Sequence, residues 1–230
     1  MARESFQEQL IKLRNDILLM GKMVANAIEM AVDALKRQDL ELAIQVASND
    51  EKIDELQLEL EARCLSLLAL QQPMASDLRF IGTAIKIITD LERMGDHASN
   101  IAKVTLSIGN EPFIKPIVDI PLMADIVSVM IRENLTAYIN HDREKALKTA
   151  MLDHDVNSYF TQVFNELREL MTKDPRNVKQ ATYLLFIARY LERIGDHCTN
   201  LSEMIIYMIT GERLELSEGN VEIELFGVKG

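Results

Sequence analysis

Tryptophan is absent from this chain, and glycine, proline and cysteine are scarce, at nine, five and two residues in 230. Each shortage excludes something. Two cysteines cannot build a disulfide framework or a four-cysteine zinc site. Cys64 and Cys198 stand alone in helical patterns, which predicts buried free thiols and points to the cytosol. So few Gly and Pro leave no glycine-rich phosphate loop and few of the tight turns that an all-β fold needs. Basic residues are also short, 25 against 36 acids, for a net charge of −11. An acidic chain without a basic patch is a poor candidate for binding nucleic acid or an anionic membrane through phosphate contacts. No apolar run approaches the roughly 18 residues of a membrane-spanning helix. Residues 1–16 are charged and amphipathic, without the apolar core of a signal peptide.

What is abundant is Leu, Ile, Ala, Met, Glu and Lys, with 48% hydrophobic residues overall, which predicts an all-α protein with a sizeable core. Ser5-Phe6-Gln7-Glu8 reads as a capping box. The apolar seam Phe6, Leu10, Leu13, Ile17, Met20, Val24, Ala27, Ala31, Leu35 then marks a first long helix. A second starts at the Asp39 cap and carries Leu42, Val46, Ile53, Leu56, Leu60, Cys64 and Leu67. Pro73 breaks the pattern, Ser76 is a candidate cap, and a third helix runs from Asp77 to about Ile108. A fourth follows from Pro121 to about Ile139, a fifth from near Asp142 to about Thr172, and a sixth from Asp174-Pro175 to Gly211. The expected architecture is a tandem repeat of two antiparallel three-helix bundles, six long helices in all. The first unit covers 1–111, a linker 112–121, the second unit 122–211, and an acidic tail 212–230. Alternation at Val221, Ile223 and Leu225 leaves strand and loose tail both open there.

The repeat is clearest in one stretch. Leu91-Glu92-Arg93-Met94-Gly95-Asp96-His97-Ala98-Ser99-Asn100 recurs 100 residues later as Leu191-Glu192-Arg193-Ile194-Gly195-Asp196-His197-Cys198-Thr199-Asn200, with seven of ten positions identical. In the third helix Ile81, Ile85 and Ile88 form an apolar row whose next members are Glu92, Asp96 and Asn100. In the sixth, Ala181, Leu185 and Ala188 lead in the same way to Glu192, Asp196 and Asn200. The acids prolong the buried stripe, and an ionised carboxylate there needs a cation, a donor or a metal. The neighbouring helices supply more: Asp50 and Asp54 in the first unit, Asp153 and Asn157 in the second. Carboxylates and an amide make an all-oxygen site, suited to Mg, Mn, Ca or ferric iron.

Plainer readings stand beside these. Arg79, Arg93, Arg189 and Arg193 are present to pair with the acids across helices. Gly95 and Gly195 cost roughly 1 kcal/mol each inside a helix, which suggests either close helix approach or room for an ion. His97 and His197 point about 100° away from the acid row and read as hydrogen-bonded edge residues. Asp77-Leu78-Arg79 reads as the cap of the third helix with local pairing, and the methionines as core filling. No set of nucleophile, base and orienting group is visible, so no catalysis is expected. A ferritin-type storage or redox site would use Glu-x-x-His, yet Met94, Tyr138, Met151 and Ile194 precede the four histidines at that spacing.

At these residues the chain resembles the PhoU family, accessory regulators of bacterial phosphate-specific transport. The likeness lies in Gln72-Pro73-Met74-Ala75-Ser76-Asp77-Leu78-Arg79 with Leu91 to Asn100, and in Lys173-Asp174-Pro175-Arg176 with Leu191 to Asn200. It covers nearly the whole chain, to about Gly211. The resemblance implies multinuclear metal sites at Asp50, Asp54, Glu92 and Asp96, and at Asp153, Glu192 and Asp196; the helix rows themselves add Asn100 and Asn200 as candidate ligands. Iron is the first metal to expect, with zinc, manganese and magnesium as the others. Asn157 stands where a second acid is expected. The resemblance further implies a cytoplasmic, homodimeric, non-enzymatic negative regulator of phosphate uptake and of the starvation response. Its partners would be the ATPase subunit of the phosphate ABC transporter and a phosphate-sensing histidine kinase. It would meet the membrane only through them, and no nucleic acid. The alternative function is a metal-free helical scaffold with salt-bridged carboxylates.

Overall fold

The computed structural model describes residues 2–216, with side chains described from Phe6 onward. The alternation at Val221, Ile223 and Leu225 lies outside the described residues. The helices are α1 (Ala2–Arg37), α2 (Leu40–Gln71), α3 (Ala75–Ile108), α4 (Asp119–Asn140), α5 (Arg143–Met151), α6 (Asp153–Lys173) and α7 (Val178–Thr210). A single 3₁₀ turn, Pro175–Asn177, precedes α7. Among the described residues there is no strand. The first unit is α1, α2 and α3; the second is α4, α5, α6 and α7.

The fifth helix of the sequence pattern is divided at one residue. At Leu152 the backbone N–H turns to Thr149 O at 3.1 Å, and Leu152 O takes Asp155 N at 3.1 Å, so the ladder tightens to i→i+3 for one step. Apolar spacing is nearly unchanged through such a step, which is why the pattern read as continuous. The break falls immediately before Asp153.

Capping chemistry sets most of the ends. Asp39 and Asp142 accept the N–H groups of Leu42 and Lys145 with their side chains, opening α2 and α5. Gly211 closes α7 in the left-handed region, with φ 80°. Three expected caps are not used. Helix α1 begins at Ala2, so Ser5 lies inside it and not at its start. Helix α3 begins at Ala75 with Met74 as its cap, so Ser76 is already helical and Asp77 falls within the first turn.

The seam of α1 buries Leu13, Ile17, Met20, Val24, Ala31 and Leu35. At Ala27 the buried position passes to Ile28. A 3.5-residue reading drifts against a 3.6-residue helix by about 20° per heptad, and over the three heptads from Phe6 to Ala27 the neighbouring residue comes to face the core. Each fully buried Leu, Ile or Met contributes about 1.5–3 kcal/mol of transfer free energy. The same stripe logic buries Val46, Ile53, Leu60 and Cys64 on α2 and Val156, Val163 and Leu167 on α6.

Between the units α1 packs on α4, and α3 packs on α7. Asp90 on α3 meets His197 and Asn200 on α7, while His97 meets Tyr190. Advancing along one helix means retreating along the other, so α3 and α7 are antiparallel. The two repeat helices thus form a shared central pair. Asn134 of α4 ties into it: its fully buried amide donates to Cys198 O at 2.8 Å and accepts from the Ser202 hydroxyl at 2.7 Å.

Candidate metal centre

In the first unit α2 lies against α3 so that Asp50 and Ile53 face Gly95. A Cβ at Gly95 would stand 3.1 Å from Ile53 Cδ1 and 3.8 Å from Asp50 Oδ1. The missing side chain lets the acid-bearing helix come close. Four carboxylates share this patch: Asp50 and Asp54 from α2, Glu92 and Asp96 from α3. Burial raises the Asp50 carboxyl above its ordinary value; the Ser99 hydroxyl opposes this, and the charges of Asp54 and Asp96 push it further up. Burial likewise raises Glu92, helped by Asp96, Asp54 and Asp50 and opposed by Arg93. Glu92 is the deep member at 16% exposure and Asp96 the outer one at 40%. Arg93 spans both from the solvent side, at 3.5 Å from Glu92 and 3.8 Å from Asp96. A cavity of about 160 Å³ opens beside Asp50, bordered by Met23, Asn26, Met30 and Ser99.

The second unit repeats the plan with tighter contacts. Here α6 lies against α7, and a Cβ at Gly195 would fall 2.6 Å from Asp153 Oδ1. Asn157 donates its amide to Asp153 Oδ2 at 3.0 Å, so the residue replacing an acid now holds one. Burial raises Glu192, with Asp196 adding to it and Arg189 and Arg193 opposing. Arg189 hydrogen-bonds Glu192 Oε1 and lies over the Phe160 ring, 5.7 Å from its centroid. Arg193 reaches Asp196 at 3.0 Å. Glu192 Oε2 is buried and has no hydrogen-bond partner.

Eight of the ten expected site residues therefore gather into two patches: Asp50, Asp54, Glu92 and Asp96; Asp153, Asn157, Glu192 and Asp196. Asn200 turns elsewhere, toward Asp90 on α3 at 3.4 Å. Asn100 is partly buried on the same face of α3 as its acids. Among the described residues no three His, Cys, Asp or Glu side chains converge closely enough to hold an ion as they stand. The donor set still fits a hard cation. Its oxygens are crowded, partly desolvated and mutually repelling, and the arginines approach only from the outer side.

Asp90 went unnoticed in the sequence because its repeat mate is Tyr190, so the 100-residue comparison passes over it. His197 Nδ1 meets Asp90 Oδ1 at 2.9 Å, as an edge residue should. His97 does not follow: its Nδ1 is buried with no hydrogen-bond partner, and its ring stacks on Tyr190 at 5.6 Å. Arg79 is also not a partner of the acids; its guanidinium lies by Gly211, 3.6 Å from where a Cβ there would be.

The family model described as "PhoU domain" matches this chain twice, over residues 17–105 and 120–205. The chain belongs to the PhoU family. A "Phosphate-specific transport system accessory protein PhoU homolog" from Clostridium acetobutylicum is 40% identical over 219 residues, which is 95% of this chain and all of the relative. One of the same description from Aquifex aeolicus is 40% identical over 205 residues, 89% of this chain and 93% of the relative. Among solved structures, PhoU from Pseudomonas aeruginosa superposes with a TM-score of 0.87 at 34% identity, covering 90% of this chain and all of that one. The phosphate transport system regulatory protein PhoU from Streptococcus pneumoniae gives 0.85 at 31%, covering 92% and 100%. Each PhoU match contains one acid patch, and the central α3–α7 pair joins them. No helix of the described residues is long and apolar enough to cross a membrane.

Proposed function

We propose that this PhoU protein is a non-enzymatic regulatory accessory of phosphate-specific transport, working in the cytoplasm as an adaptor that restrains uptake and the starvation response. The observation that carries this reading is end-to-end similarity, at 40% identity, to relatives described as accessory proteins of that system. Its partners are the ATPase subunit of the phosphate ABC transporter and a phosphate-sensing histidine kinase, and it acts as a homodimer. Deleting the chain in its host is expected to derepress phosphate-uptake genes in high phosphate. Unchanged expression there would overturn the reading.

The same proposal assigns a hard cation, iron first, to each acid patch. Asp50, Asp54, Glu92 and Asp96 would hold it in the first unit; Asp153, Glu192 and Asp196, with Asn157, in the second. A bound cation supplies positive charge between carboxylates that otherwise repel, locking α2 to α3 and α6 to α7. The arginine contacts at Glu92, Asp96, Glu192 and Asp196 favour a second reading, a metal-free scaffold. Metal analysis of protein purified without chelator separates the two. Bound metal that disappears when Glu92, Asp96, Glu192 and Asp196 are all replaced by Ala supports the centres; equal metal content in both proteins rules them out.

A further inference from the structure

Between α3 and α7, on the face they turn toward each other and apart from both acid patches, lies a cavity of about 490 Å³. Thr83, Lys86 and Asp90 border it from α3, Glu203, Met204 and Tyr207 from α7, and Arg213 from the segment that follows. Small-molecule sites span roughly 300–1,000 Å³, so this one admits an organic molecule and not only an inorganic ion.

The acids of the cavity are already engaged. Asp90 takes His197 and Asn200, and Glu203 accepts the Leu216 N–H at 2.7 Å. The cations are not. Lys86 and Arg213 make no ion pair with any described residue, and Arg213 rests over the Tyr207 ring, 5.6 Å from its centroid. Thr83 adds the deciding detail. Most threonines on these helices return their hydroxyls to the carbonyl four residues back, as Thr89 does to Ile85 at 2.9 Å, Thr105 to Ile101 at 3.0 Å and Thr182 to Val178 at 2.7 Å; Thr83, and Thr199 away from this cavity, do not. Thr83 is 1% exposed, and its Oγ1 has no partner at all. Residues 83 and 86 lie on one face of α3 and both border the cavity, so two unused donors stand on its α3 wall. A buried donor without an acceptor is unfavourable unless something supplies one.

We propose that this cavity binds a small organic anion. Its phosphate or carboxylate oxygens accept from Lys86, Arg213 and the Thr83 hydroxyl, and its body lies against Met204 and Tyr207. Such a site sits on the helix pair that joins the two units, so occupancy would be felt by both. The inference does not rest on the metal centres, and chelator-treated protein keeps the two questions apart.

The test is isothermal titration of the full chain, stripped with chelator, with ATP, citrate and inorganic phosphate as probes. Saturable binding of ATP or citrate is expected, weakened at least about tenfold by Lys86→Ala, by Arg213→Ala and by Thr83→Val. Melting temperatures of the three variants without probe should match the parent, since two of the positions are solvent-facing and the third substitution keeps its shape. Whichever of ATP or citrate binds identifies the phosphate or the carboxylate as the recognised group. Failure of both to bind at concentrations on the order of 1 mM, or equal binding by the variants, would sink the proposal. So would inorganic phosphate binding as tightly as either, because the organic body would then contribute nothing.

Discussion

His197 hydrogen-bonds Asp90 across the α3–α7 pair at 2.9 Å, whereas His97, its counterpart in the repeat, stacks on Tyr190 with no hydrogen bond to Nδ1. Burial, followed by the charge of His197, pushes His97 down to about 4; Arg193 and Arg93 act in the same direction and Asp96 against it. Its folded value lies below its unfolded value, so the unfolded chain binds the proton first. Stability therefore falls as pH drops from about 6.5 toward 4. In chelator, His97→Phe should flatten this part of the profile, keeping a melting temperature a few degrees above the parent at pH 5. Parallel profiles for the two proteins would refute the assignment.

The acid patch has the opposite sign. Asp50 and Glu92 are raised in the fold, so they cost stability once pH rises through their folded values. Without metal, Glu92→Gln should stabilise the protein at pH 8 by a few tenths to 1 kcal/mol, read from urea midpoints at constant slope. With a divalent or ferric ion added, the order should reverse, because only the parent gains from binding. A variant that is less stable than the parent in chelator would show that Arg93 outweighs the repulsion.

The two helical glycines are not equivalent. At Gly195 an added Cβ would meet the Asp153 carboxylate at 2.6 Å, whereas at Gly95 it meets the movable end of Ile53 at 3.1 Å. Alanine brings roughly 1 kcal/mol of helix propensity at either site. Gly195→Ala should nonetheless lose about 1–3 kcal/mol, as overpacked sites do. Gly95→Ala should lie within about 1 kcal/mol of the parent. Thermal melts of both variants decide it, and equal losses would contradict the asymmetry.

Asn157→Asp restores the acid that the second patch lacks. It removes the 3.0 Å bond from Asn157 to Asp153 and sets two carboxylates together. Metal-free protein should lose about 1–3 kcal/mol. Metal content of the second unit should rise relative to the parent. An unchanged metal content alongside the lost stability would count against Asn157 as the weak point.

How much of this was readable in the sequence depended on whether a signal repeats or is local. Asp39, Asp142 and Gly211 cap their helices through neighbours a few residues away, and were legible. The acid rows were legible because an apolar stripe that ends in Glu92 and Glu192 does so twice. Leu152 was not, since a one-residue tightening leaves the hydrophobic period intact. Ser5 and Ser76 carry the signature of a cap yet lie inside their helices, because a serine that can cap is compatible with helix on either side of it. Asp90 and Thr83 escaped for a different reason: their roles are set by α7, more than 100 residues away, and neither recurs in the other half.

Two identical subunits meeting about a two-fold must present the same residue pairs at both ends of their contact. Here one chain supplies both partners, and that constraint is lifted. One end of the crossing is a histidine–aspartate hydrogen bond and the other an aromatic stack, and one acid patch has four carboxylates where the other has three and an amide. The halves of this protein can accordingly be addressed one at a time, by a ligand, a proton or a substitution, in a way that no symmetric pair of single units allows.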